Sequence, residues 1–341
     1  MSATGFRPAG ATTTRNGRPE CGTTAWRLEF SALWPHLGRM NSASSFWSRC
    51  VLCILVASAA MGGVWAAQPV PEPAAALRAE YLSRSEQLQH SPFRRPLVVQ
   101  FAESPNRLTG QIYAVVEYPF TQVSAGLDSP AHWCDVISLH INTKYCRPTA
   151  GPTGAMLRVH IGKKSPQDVE DAARVDFAYR VATKTPEYLE IVLNARDGPL
   201  GTSDYRIALE AVALPDGTTF LHLTYSYAFN FAGRLAMQAY LGTLARDKVG
   251  FTPTGPLTGD GPPRYIGGMR GLVERNAMRY YLAIDAFLEA ADAQPVAQFE
   301  RRLNTWFAAT EQYPRQLHEI DRSEYLRMKR AENQRQLGAN Y

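Results

Sequence analysis

The sequence predicts an α+β domain in which a meandering antiparallel sheet is followed by a long C-terminal helix. Two observations carry this. Six candidate strands follow one another between residues 143 and 230, at roughly 143–147, 155–163, 173–183, 187–196, 204–214 and 218–230. They are separated by PTAGPTG, KKSPQD, KTPE, RDGPLG and LPDG, all strong turn chemistry. After Asn230 the period changes. Ile266, Met269, Val273, Ala277, Tyr280, Ile284 and Phe287 recur every three or four residues, the stripe of an amphipathic helix.

The elements follow in chain order. Residues 1–39 carry no helical or strand periodicity and read as a mis-annotated or disordered prefix. Residues 40–66 begin MNSASSFWSRC, continue as an apolar run to about Ala60, and end Val64-Trp65-Ala66. This is the layout of a secretory signal peptide cleaved after Ala66; a membrane anchor would want a longer apolar run. The expected location is therefore periplasmic or secreted. Residues 67–89 form a Pro- and Ala-rich leader and a short helix with Leu77, Tyr81, Leu82 and Leu88 at helical spacing. PLVVQFAE and LTGQIYAVVEY read as two strands joined by SPNR. PFTQVSAGLDSPAHWCDVISL reads as one or two short helices broken around Asp128-Ser129-Pro130. A helix over 235–249, a Gly/Pro-rich loop over 250–264 expected to be mobile, the long helix over 265–291 and a charged helix over 296–336, broken at Pro314, complete the chain.

Charge and cysteine usage follow from the signal peptide. The chain has 36 basic and 31 acidic residues, of which six Arg and two Glu lie before Ala67, leaving 30 and 29. That balance of +1 gives no support to nucleic-acid binding. Of five cysteines only Cys134 and Cys146 remain, an even pair in an oxidising compartment, which predicts a disulfide. Closure requires a helix over about 130–139 to reverse near His140–Asn142, with Thr143 to Cys146 running back beside it. Two buried thiols are the alternative.

The order of elements resembles the helix-grip fold of START lipid-transfer domains and of the birch-pollen-allergen superfamily, over about residues 90–290, within an expected domain of 90–291. GQIYAVVEYPF is similar to the family in ending a strand in Tyr-Pro ahead of a helix pair, here with Trp133. The resemblance implies a curved antiparallel sheet wrapped on a long C-terminal helix; the chain departs from the family in the Cys134/Cys146 pair, the secretion signal and a charged helical extension over 292–341. It leaves open whether the 235–249 or the 265–291 helix is gripped. It further implies a cavity for a hydrophobic small molecule or lipid, sometimes used for catalysis.

The strand faces give the site candidates. If apolar faces point inward, Tyr179, Tyr225, Tyr227 and Phe229 line the cavity, opposite Met269, Val273 and Tyr280 of the helix. If the other faces do, Arg206, Glu210 and His222 form a buried polar cluster, and Glu210 with His222 becomes the one acid/base pair on offer. Solvated outer-face charges are the commoner outcome. His160 reads as surface. No catalytic motif and no metal-ligand spacing is present, and no cofactor is expected. The leading reading is a secreted ligand-binding protein. Its competitors are a cyclase- or hydrolase-type enzyme on the same fold, and an envelope protein whose 296–336 helices bind a partner.

Overall fold

The computed structural model describes residues 72–152, 154–243, 247–255 and 263–338. The expected prefix, signal peptide and residues 67–71 lie outside them, as do loop positions 256–262. Eight strands form one antiparallel sheet: β1 (Leu97–Ser104), β2 (Arg107–Val116), β3 (Thr143–Gly151), β4 (Gly154–Ile161), β5 (Ala173–Lys184), β6 (Tyr188–Asp197), β7 (Thr202–Ala213) and β8 (Thr219–Phe229). Their order is β1-β2-β8-β7-β6-β5-β4-β3. β3 to β8 are thus the meander that the turn chemistry predicts, and the β1–β2 hairpin attaches to its last strand. Gly217 takes a φ of 85° in the β7–β8 turn, as the Asp-Gly pair there requires.

Nine helices complete the described chain: α1 (Pro73–Ser83), α2 (Ser85–Gln89), α3 (Phe120–Leu127), α4 (Pro130–Leu139), α5 (Phe231–Thr243), α6 (Gly268–Glu289), α7 (Pro295–Thr310), α8 (Pro314–Leu317) and α9 (Arg322–Gly338). α3 and α4 carry the chain from β2 near one edge of the sheet to β3 at the other. Pro130 at the first turn and the Ser129 hydroxyl, which accepts from the Ala131 N–H, start α4 where the sequence places the break.

The gripped helix is α6, which lies against β1, β2 and β8. Contact is close at Gly110. A side chain there would put its Cβ 3.0 Å from the Ala277 Cβ and the Val273 carbonyl oxygen, so glycine lets the helix seat. The sheet is curved around this helix, which makes the architecture a helix-grip. The expected 235–249 helix is corrected: it begins at Phe231, and residues 247–255 are not helical. Pro253 pairs with Tyr265, and the Gly250 N–H donates to the Ile266 carbonyl at 2.6 Å. The fully buried Glu274 carboxylate of α6 accepts from the Phe251 and Thr252 N–H groups at 2.5 and 3.0 Å. A buried carboxylate captures backbone donors that a continued helix would have used internally. The described ends of the loop expected to be mobile are therefore tied down.

Cys134 and Cys146 form the disulfide, with Cα atoms 5.2 Å apart. α4 ends at Leu139, the chain reverses over His140–Asn142, and β3 returns from Thr143. The reversal is sealed by α9. The Tyr325 hydroxyl donates to the Leu139 carbonyl (2.8 Å), and Lys329 donates to the carbonyls of His140 and Thr143 (2.7 and 2.8 Å). Lys144 and Lys329, both buried, share the Glu332 carboxylate at 3.0 and 2.9 Å. α7 and α9 turn Leu303, Trp306, Phe307, Tyr325, Leu326 and Met328 inward. Val296 and Leu337, at the far ends, are the large apolar side chains they expose among the described residues.

Candidate functional site

Strand alternation decides which faces are interior. Val175, Phe177 and Tyr179 on β5, Tyr205, Ile207 and Leu209 on β7, and Leu221, Leu223, Tyr225, Tyr227 and Phe229 on β8 are all buried in the core shared with α6. The interior divides in two. One half is aliphatic: Ile207, Leu209, Val273, Ala277 and Ile284 have no accessible surface. The other half is aromatic. Tyr205 stacks on Tyr227 at 5.4 Å, Tyr225 lies 5.8 Å from Tyr227, and Tyr280 of α6 lies 5.3 Å from Tyr225. His140 follows Tyr280 at 5.1 Å. Tyr179, Tyr205, Tyr225 and Tyr280 keep 5–9 % of their surface accessible, whereas the aliphatic half keeps none.

The hydroxyls differ in their partners. Tyr205 bonds the Thr202 hydroxyl at 2.7 Å, and Tyr179 donates to the Leu127 carbonyl at 3.4 Å. The Tyr227 hydroxyl is buried and has no partner among the described residues, and neither has the His140 Nδ1 atom. Burial, with Arg279 and Lys329 nearby, drives the His140 pKa far down, so the ring is neutral. Burial likewise raises Tyr225, Tyr227 and Tyr280 above the usual tyrosine value. Folded tyrosines with raised pKa values hold their protons when unfolded ones begin to lose them. Their contribution is present in full below pH ~10 and is lost as pH rises further. The expected result is a biphasic alkaline titration by absorbance at 295 nm. Half-buried tyrosines such as Tyr81 and Tyr265 ionise first, and the interior group ionises together with loss of the circular-dichroism signal. A single phase completed before unfolding would contradict the burial.

Of the positions expected from sequence, Tyr179, Tyr225, Tyr227, Phe229 and Tyr280 fall in or beside the aromatic half. Val273 belongs to the aliphatic half, and Met269 is half-buried in the first turn of α6. Tyr205 and Thr202 escaped notice; alternation from Ile207 and Leu209 carries the signal for Tyr205. Glu210 and His222 meet, at 2.8 Å, but on the outer face of the sheet. Tyr188 donates to Glu210 at 2.8 Å, Tyr113 stacks on His222 at 4.3 Å, and Gln111 lies 3.2 Å from the His222 Nε2. Burial opposes ionisation of Glu210, but the bonds from His222 and Tyr188 outweigh it and hold its pKa below the ordinary range. This network ties β2, β6, β7 and β8 together beside the small outer core under α1, where Ala74, Leu77, Tyr113, Val212 and Phe220 pack. It does not enter the grip. His160 is half-buried rather than surface, bonded to the Val169 carbonyl at 3.1 Å. Among the described residues no three His, Cys, Asp or Glu side chains gather as metal ligands, and no helix is long and apolar enough to cross a membrane.

The fold and this interior define a helix-grip domain. No family model matches the chain, and no curated protein matches it. Solved structures similar to it include human StAR-related lipid transfer protein 5, at 10% identity over 63% of this chain and 97% of that one, TM-score 0.31. Norcoclaurine synthase from Thalictrum flavum is similar at 12% identity over 44% and 82%, TM-score 0.29. A conserved protein from Geobacillus kaustophilus is similar at 16% identity over 41% and 85%, TM-score 0.27. Strand order and the gripped helix, rather than these scores, carry the fold.

Proposed function

We propose that the protein binds a hydrophobic small molecule, a lipid or similar body carrying one hydrogen-bonding group, between the sheet and α6. Tyr179, Tyr225, Tyr227, Phe229, Met269, Val273 and Tyr280 line the site. The observation that supports this most is the Tyr227 hydroxyl. A buried hydroxyl without a partner costs about 1–3 kcal/mol. A ligand oxygen beside it would recover that cost. The neighbouring rings of Tyr179, Tyr205, Tyr225 and Tyr280 are the ones that keep some accessible surface, and they would move apart to admit it. An oxidising location, periplasmic or secreted, belongs to the same proposal and is supported by the disulfide.

The test separates a core from a site. Tyr227→Phe removes the orphan hydroxyl and leaves the ring. Its thermal midpoint should stay level or rise, while displacement of a lipophilic fluorescent probe such as anilinonaphthalene sulfonate by lipid extracts weakens. Tyr227→Ala should weaken probe binding more than it weakens the fold. A core residue would instead lose several kcal/mol on truncation. Failure of the parent to bind any apolar probe, with a large stability loss in Tyr227→Ala, would remove the proposal.

A further inference from the structure

The two edges of the sheet are treated differently. At the β3 edge, the outward Cys146 N–H donates to the Gln336 side chain of α9 at 3.1 Å, and Pro148 has no N–H to offer. That edge is blunted in the ways natural sheets use. The β1 edge can be read from its register. Leu97 pairs with Ala114, and the Val115 N–H donates to the Pro96 carbonyl at 3.0 Å. Residues 96, 98, 100, 102 and 104 therefore bond to β2, and Leu97, Val99, Phe101 and Glu103 direct their N–H and C=O groups away from the sheet. At Leu97 the Ser91 hydroxyl takes up both groups, donating to the carbonyl at 2.8 Å and accepting from the N–H at 3.4 Å. Beyond Leu97, no described residue bonds the outward groups of Val99 and Phe101.

Beside this edge, unpaired among the described residues, runs a groove of about 580 Å³. Leu97, Val98 and Val99 form one wall, and Phe93, Phe251 and Tyr313, in mutual ring contact at 5.5–5.8 Å, form another. An alternating row of donors and acceptors next to an apolar groove has one complement. It is an extended polypeptide, whose own N–H and C=O groups alternate and whose every second side chain points one way.

We propose that β1 receives an extended, apolar peptide segment of a partner protein as a ninth strand, with alternate side chains in the Phe93/Phe251/Tyr313 groove. A lipid in the groove would leave the Val99 and Phe101 backbone unmet, so the edge selects for peptide. The site is separate from the tyrosine interior and stands whether or not that interior binds a ligand.

The test uses Val99→Pro. It deletes an outward N–H that β2 does not use, and proline is tolerated on that side of an edge strand. The probe is a fluorescein-labelled seven-residue peptide of alternating valine and threonine with a central phenylalanine, followed by anisotropy. The expected result is saturable binding to the parent, weakened about tenfold or more in Val99→Pro and when alternate peptide amides are N-methylated. An unchanged melting curve for Val99→Pro shows that the sheet is intact; if that variant unfolds, the N-methylated peptide alone carries the comparison. No binding to the parent, or binding indifferent to backbone methylation, overturns the proposal. A parent that sediments as a dimer, and as a monomer once Val99 is proline, overturns it in favour of a second copy on the same edge.

Discussion

Replacing Glu332 with alanine should lower the unfolding free energy by about 3–5 kcal/mol, the usual cost of breaking a buried ion pair from one side. Two ammonium groups share this carboxylate, and neither reaches solvent: Lys144 is 1 % and Lys329 3 % exposed. Lys329 keeps two backbone carbonyls as acceptors, whereas Lys144 is left with the Ile141 carbonyl at 3.5 Å and the Met328 sulfur at 3.4 Å. The parent already strains against this burial. Desolvation, with Lys144 nearby, brings Lys329 down to about 8 from the usual lysine value. Its folded state holds fewer protons than the unfolded chain between pH ~8 and ~10.5, so its destabilising contribution shrinks as pH rises across that window. The variant should recover part of its loss there, and Lys144→Met added to Glu332→Ala should restore more. Chemical unfolding at pH 7 and pH 9 measures all three. A loss under about 1 kcal/mol for Glu332→Ala would mean that the lysines find water or other partners.

Opening the disulfide should cost nearly as much. Cys134→Ser removes a link closing a loop of this length, worth roughly 3 kcal/mol in the chain-entropy account. For a chain of this size that corresponds to a fall in melting temperature on the order of 10 °C. Both sulfurs are buried, so reductant should act slowly on the native protein and quickly once mild denaturant opens it. Melting curves that coincide for the parent, the variant and the fully reduced protein would show that the link stabilises nothing. The variant should also release the sealing helix, seen as earlier proteolysis after α8.

Much of this architecture is legible in the sequence because it is written in short-range signals. The strand breaks are Gly, Pro and Asp clusters, and six of the eight strands stand between them. The α4–turn–β3 geometry follows from one number, the twelve-residue spacing of two cysteines. Tyr179, Tyr225 and Tyr227 are recoverable from alternation alone. Tyr205 is as regular, but its neighbours Arg206 and Glu210 draw attention to the opposite face. What is not legible is the buried charge. Glu274, Arg275, Arg279, Lys144, Lys329 and Glu332 are all buried. A charged residue in a polar helix reads as solvated, and only a partner far along the chain makes it otherwise. Arg279 is matched by Glu319, which Lys164 also meets at 2.6 Å. The non-helical course of residues 249–252 is lost for the same reason: Arg275 donates to the Val249 carbonyl, and Glu274 accepts from the N–H groups of residues 251 and 252.

The sealing of the 139–143 reversal by α9 bears on how the chain is made. Lys329 and Thr143 are 186 residues apart, and the Lys144–Glu332 pair is 188 apart. Synthesis therefore delivers the two cysteines, the whole meander and α6 before the helix that closes over the reversal exists. During that interval Lys144 has no carboxylate, and the carbonyls of His140 and Thr143 lack the ammonium group of Lys329. The cysteines can join while their turn is still open to an oxidant, and the late helix then locks a link already made. A chain cut short before α9 would keep every strand and both sulfurs yet leave Lys144 without its cover and its counter-charge. Quality control would meet that fault as a half-finished protein rather than an unfolded one.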